Sequence, residues 1–422
     1  MKLSELNKLL VLVGVLIFGL SACQSTSTSR SDMLSVGPTP VGPQAPSSYE
    51  PSKKQYSGTF LDVAVPVFNP GFPVDKRTGD VDYDELDEMD IWPQLRRAEA
   101  KRFAVETKRA IANTQAFGSV SAVPDANTSA DLYVLGTILH SDSEVVQLEV
   151  TIVDSSGEPI DSREFEHQVS KSFFRDALNQ DKDPYEPVFN QVADYVYELM
   201  RKIPESQKQV IKNTTLIRYA NYYSPEAFGD YLKVSIDKKN GTRFYKYELN
   251  ALPAENDTMM QRVEVLRNQE MLFVDRLQDQ FDAFQKQTDN PYRDWQEETL
   301  PEVIRAREAL SERNAKAVLG TIGFIAALAL GNNSSSNSTS VAKTVGALGS
   351  AWLLKDAYKA NQNLRVASAV IDEMGQGLDL TLSPQVMEFN EQEVELSGTA
   401  AEQYLQWKAH LKKMYQLETS AN

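Results

Sequence analysis

The chain has 422 residues, carries a formal net charge of −16, and is 41% hydrophobic and 24% charged. Such a length has room for two or three compact units, and the apolar content is that of a folding chain. An acidic balance without a basic stripe excludes nucleic acid as a partner, because neutralising phosphates requires clustered Lys and Arg.

Lys2 and Lys8 flank the start of an uncharged apolar run from Leu9 to Leu20. A run of about 12 residues is too short for a bilayer core of roughly 30 Å and fits the h-region of a secretory signal, so residues 1–22 are expected to be a signal peptide. The next residues, Leu20-Ser21-Ala22-Cys23, resemble the lipobox of bacterial lipoproteins. That resemblance implies that Cys23 is lipidated, with palmitate-type chains, and begins the mature protein. Gln24 stands where aspartate would favour inner-membrane retention, so the resemblance also implies the outer membrane, on its periplasmic side. Cys23 is the only cysteine, and an exported chain without disulfides must draw its stability from packing.

From Gln24 to Ser57 the chain is rich in Ser, Thr, Pro and Gly and too poor in apolar residues to offset its entropy. Residues 23–57 are thus expected to form a disordered tether, which as a flexible coil spans roughly 30–35 Å. A first folded unit is expected over 58–203. Leu61, Val63, Val65 and Val67 alternate as in a strand. A helix follows from about Ile91 to Gln115, capped by Asp90, with Ala100, Phe103, Thr107, Ala110 and Ile111 facing a sheet and Arg97, Lys101 and Lys108 pointing away. Leu132 to Leu139 reads as a central strand, and Val146, Leu148, Val150 and Ile152 as a half-buried one. The Asp154-Ser155-Ser156-Gly157 turn leads into Arg163 to Val169, and a helix spans Pro187 to Lys202. The order is β-α-β-β-β-α.

Ala130-Asp131-Leu132-Tyr133-Val134-Leu135-Gly136-Thr137-Ile138, with Val150-Thr151-Ile152-Val153-Asp154-Ser155-Ser156-Gly157-Glu158, resembles the α/β domain of the TolB amino-terminal and curli-secretion lipoprotein group. The resemblance covers roughly 140 residues and implies a protein-interaction and assembly module. Beyond Lys202 the chain departs from that group, and no amphipathic β-barrel hairpin is legible.

Residues 204–316 read as a helical region. Its aromatic segment, Gln207 to Leu252, is read as ordinary packing, with a ring-lined glycan surface as the alternative. A long helix from Asp257 to Gln287 is expected to break at Asn290-Pro291, and a second to run from Tyr292 toward Asn314. Residues 317–354 read as an apolar helical hairpin, Ala317 to Leu330 and Val341 to Leu354. Its Gly320, Gly323, Gly346 and Gly349 recur at helical spacing and are the candidate interaction residues. Residues 355–422 are expected to hold a helix, a β-hairpin around Asn390-Glu391-Gln392, and a terminal helix.

The three histidines, His140, His167 and His410, form no metal-ligand spacing, and no G-x-S-x-G or Walker sequence is present. The Asp80-Val81-Asp82-Tyr83-Asp84 run starts like a calcium loop. Glu85 and Ile91, however, stand where such a loop needs glycine and a bidentate glutamate, so it reads as a solvated acidic loop. No catalytic residue, cofactor or metal is expected.

The fold class expected is α+β: an amino-terminal α/β sandwich-like domain, then a mostly α-helical region with the apolar hairpin, then a carboxy-terminal β-hairpin plus helix. The function expected is that of an outer-membrane-anchored periplasmic lipoprotein, a structural or assembly component of an envelope or secretion machine. Its partners are the membrane, envelope proteins and, by extension, a second copy. The alternatives are a peptidoglycan-binding lipoprotein and an envelope hydrolase.

Overall fold

In the computed structural model, which describes residues 56–89, 91–239, 241–328 and 362–420, the class is α+β. Strand β1 (Val63–Pro66) buries all of its side chains, because it lies inside a five-stranded sheet of order β2-β1-β3-β4-β5. It runs parallel to β2 (Val120–Val123) and to β3 (Leu132–Ser141), while β3, β4 (Val145–Asp154) and β5 (Pro159–Gln168) form an antiparallel meander. Along β4 burial alternates strictly, as its apolar period requires.

Two features of this half differ from expectation. The four-residue β2 is an extra strand, so the order is β-α-β-β-β-β-α once the one-and-a-half-turn helix α1 (Tyr83–Glu88) is set aside. Helix α2 (Pro93–Asn113) is not a helix with one wet face, since Arg96, Glu99, Lys101 and Arg102 are as buried as Phe103. The sheet and α3 (Glu186–Lys202) cover one side of α2, where Phe103 meets Phe189 at 5.3 Å between ring centroids; the helical half covers the other. Lys101 Nζ donates to the carbonyls of Met374 (2.6 Å) and Gly377 (2.8 Å) and so caps the end of α7 (Gln362–Met374). Burial holds the Lys101 ammonium down at about 8.

After α4 (Glu205–Tyr223) and a short α5 (Pro225–Phe228), the stretch read as helical contains a β-hairpin, β6 (Leu232–Lys239) and β7 (Thr242–Leu249). Of the eight aromatic residues of that segment, Tyr219, Tyr223 and Phe228 are buried, whereas Tyr222 and Tyr245 are exposed. Helix α6 (Thr258–Leu328) then runs unbroken for 71 residues, through both Pro291 and Pro301. A proline inside a helix costs about 3 kcal/mol. Around Pro291 that cost is offset by burial of Tyr292 and Trp295 and by arginine ties on each side, described below.

Only the backbone of 317–328 is described; it continues α6 and contains Gly320 and Gly323, while Gly346 and Gly349 lie outside the described residues. No described helix is long and apolar enough to cross a membrane.

Two side chains of α6 show how the halves are fastened. Gln278 accepts from the Ala122 N–H and donates to the Ala122 carbonyl, both at 2.9 Å, completing the ladder of edge strand β2 with a side-chain amide. Glu270, buried beside Tyr219 and Tyr223, accepts from Tyr404 of α8 (Ala400–Ser420). A tight turn with Asn390 and Glu391 both at positive φ joins β8 (Gln385–Phe389) to β9 (Gln392–Leu396). Sheet, long helix and terminal helix share one hydrophobic core.

Candidate functional site

On α2, residues 99, 102, 106 and 109 fall on one face, and all four are ionisable. They line or underlie a polar cleft of about 470 Å³ walled by α2, the segment before α3, and the middle of α6. At its centre the buried Arg102 gives Nη1 to Asp289 Oδ1 and Thr288 Oγ1, both at 2.8 Å, and its Nη2 lies 3.6 Å from Asp183. Its guanidinium also sits 4.5 Å from the Tyr292 ring centroid. Arg109 pairs with Glu106 and Asp282, each at 3.0 Å. Gln285 donates to Glu106 (2.6 Å) and to Asp289 (3.0 Å). Arg293, next to the helix proline, donates to the carbonyls of Lys182 and Asn179.

Deeper still, Glu99 is fully enclosed. Its Oε1 accepts from Ser141 (2.6 Å) and Tyr292 (2.8 Å), and its Oε2 lies 3.3 Å from Arg96 Nε. Burial raises the Glu99 carboxyl despite Arg96, and raises Asp183 against the pull of Arg102. Glu106 is pushed up to about 7, by burial first and then by Asp183, with Arg109 and Arg102 opposing.

A carboxyl whose value is higher folded than unfolded binds its proton more tightly in the native state, so it lowers stability as pH rises through the interval. For Glu106 that interval runs from about pH 4.5 to 7. Glu106→Gln is therefore expected to flatten the urea midpoint across this range and to leave the variant the more stable protein at pH 8. A wild-type slope in the variant would assign the titration to another group.

Chemically the cleft is a set of charges that satisfy one another. Its arginines are spent on carboxylates and carbonyls of neighbouring elements, and its lining contains no serine, cysteine or histidine. Among the described residues no group of His, Cys, Asp or Glu is placed to hold a metal. Asp82 of the acidic loop accepts from the Glu85 N–H and caps α1.

The residues of the two strand motifs are held by hydrogen bonds within the fold. Asp131 Oδ2 accepts from the Asp62 N–H (2.9 Å) and its Oδ1 from Thr215 (2.6 Å), tying β3 to β1 and α4. Asp154 accepts from Ser156 N–H (2.8 Å), and Gly157 turns with φ +82°. His140 pairs with Asp142 at 2.9 Å, and His410 stacks on Trp407; burial lowers His167 and His410. Cys23 lies outside the described residues.

In the sequence the 3-4-3 spacing of the cleft residues on α2 is that of a polar stripe on a helix, and no motif accompanies it. No protein-family model, curated protein or solved structure matches this chain.

Proposed function

We propose that this chain is a lipid-anchored envelope protein, held through Cys23 on the periplasmic side of the outer membrane, and that it serves as a structural or assembly component of an envelope machine. The observation that carries this reading is the Leu20-Ser21-Ala22-Cys23 lipobox behind a leader too short to span. The fastened body supports the second half of it. Buried charges such as Arg102, Glu99 and Lys101 tie one element to another.

Metabolic labelling with a tagged fatty acid tests the anchor. Label on the wild type, its loss in Cys23→Ser and release of that variant from the outer-membrane fraction are expected, since stable anchoring needs more than one acyl chain. Full retention of a processed Cys23→Ser protein would overturn the anchor. Crosslinking in intact cells tests the assembly role: capture of defined envelope proteins supports it, whereas turnover of cell-wall fragments by the purified protein would replace it with the hydrolase.

A further inference from the structure

The β6–β7 hairpin stands out from the rest of the surface. Register pairs Ile236 with Tyr245 and Lys238 with Arg243, and Val234 lies on the same face two residues before Ile236. Val234, Ile236 and Tyr245 are 51%, 64% and 63% exposed, an apolar stripe that ends in two cations. In a chain of net charge −16 this hairpin is net positive, with Lys233, Lys238, Lys239, Arg243 and Lys246 against Asp237 and Glu248. Lys246 is paired with Glu158 at 3.4 Å, but Lys238 and Arg243 have no ion-pair partner among the described residues. An exposed aliphatic stripe bordered by long cationic stems and a tyrosine has the chemistry of an interfacial membrane contact.

The position of the hairpin fits the same occupant. The chain enters the folded body along the first turns of α4, where Lys208 Nζ donates to Tyr56 Oη (2.6 Å) and Lys212 Nζ to the Phe60 carbonyl (2.9 Å). The hairpin rests on the same helix, with Arg218 3.9 Å from the Tyr247 ring centroid, and on the turn between β4 and β5, where the Tyr247 N–H bonds to the Ser156 carbonyl. From residue 208 to 218 is roughly 15 Å of helix. A tether rooted at one place therefore brings the other within its reach. An acidic body is repelled by an anionic bilayer, and only a face of opposite charge gains by coming within a Debye length of about 8 Å.

The geometry points to the β6–β7 hairpin as a second, non-covalent membrane contact that seats Val234, Ile236 and Tyr245 among anionic phospholipid headgroups, with Lys238 and Arg243 on the phosphates. This rests on the lipid-anchor reading, since the anchor supplies the proximity.

The full, lipidated protein bearing Ile236→Cys is labelled with a thiol-reactive fluorophore. It is then placed in vesicles of phosphatidylethanolamine with phosphatidylglycerol, or of phosphatidylcholine alone, each containing brominated lipid as quencher. A lipidated Cys23 has no free thiol, so labelling of the wild type would overturn the anchor and leave the hairpin to be judged on added vesicles.

Quenching is expected in the anionic vesicles and not in the neutral ones. The ratio of quenched to unquenched label should fall by at least about 30-fold in Lys238→Glu/Arg243→Glu, since loss of two surface cations alone implies that factor and the two added carboxylates repel the headgroups. Quenching that is equal in both lipids, that survives charge reversal, or that is absent from both overturns the proposal. So does a label shift caused by a second copy of the protein without lipid, which would place the face against protein. Val234→Cys provides a second label position should Ile236→Cys move the unfolding midpoint.

Discussion

Gly136→Val is expected to lower stability by about 3–5 kcal/mol, combining overpacking with partial loss of a buried phenylalanine. Gly136 lies in central strand β3, and a Cβ built there would sit 2.3 Å from the ring of the fully buried Phe68. The ring cannot move aside easily. The Asn69 N–H bonds to the Gly136 carbonyl at 2.8 Å and the Ile138 N–H to the Asn69 carbonyl at 2.9 Å, so the backbone that carries Phe68 is stitched to the strand that carries the glycine. Urea unfolding followed by tryptophan fluorescence should show a lower midpoint with an unchanged slope. Adding Phe68→Ala should cost less than the sum of the two single changes, because the clash disappears with the ring. A wild-type midpoint in Gly136→Val would mean that β3 and Phe68 are not in contact.

Arg102→Met should cost about 3 kcal/mol, since it leaves Asp289, Asp183 and Thr288 facing a side chain without charge. The effect has a pH signature that a mere packing change lacks. Arg102 lowers the proton affinity of both Glu106 and Asp183, so its removal drives both further up. Carboxyls raised in the folded state lower stability as pH rises through them. The variant should thus lose more above pH 7 than near pH 5, where Glu106 holds its proton. Arg102→Lys keeps the charge but not the fork that reaches Asp289 and Thr288 together, and should recover part of the loss. An equal loss at pH 5 and pH 8 would show that Arg102 acts through its volume alone.

Both effects arise where one half of the fold meets itself or the other, between residues far apart in the chain. Gly136 reads in the sequence as a close approach or a local bulge in a central strand, and what approaches it, the ring of Phe68, lies beyond the end of β1. Arg102 reads as one more cation on a helix. The lipobox cysteine and the glycines of the apolar segment are legible in the sequence, but Cys23, Gly346 and Gly349 lie outside the described residues.

The sequence by itself determined whatever depends on neighbours along the chain. The period of two fixed which face of β4 is buried, and the apolar stripe of α3 followed from its 3.6-residue repeat. The Asn390-Glu391 turn set the register of β8 and β9. The tertiary structure alone decided where distant groups meet. Val120–Val123 becomes a strand because β1 pairs with one edge of it and Gln278 occupies its other side. Pro291 fails to end α6 because Arg102 and Arg293 grip the helix on both sides of it. Lys101, expected to face water, is buried because the last carbonyls of α7 require a donor. Local periodicity shows that a surface must be covered; what covers it is set by packing between segments far apart in the chain, where a few kcal/mol of burial and paired charge override the propensity of any one residue.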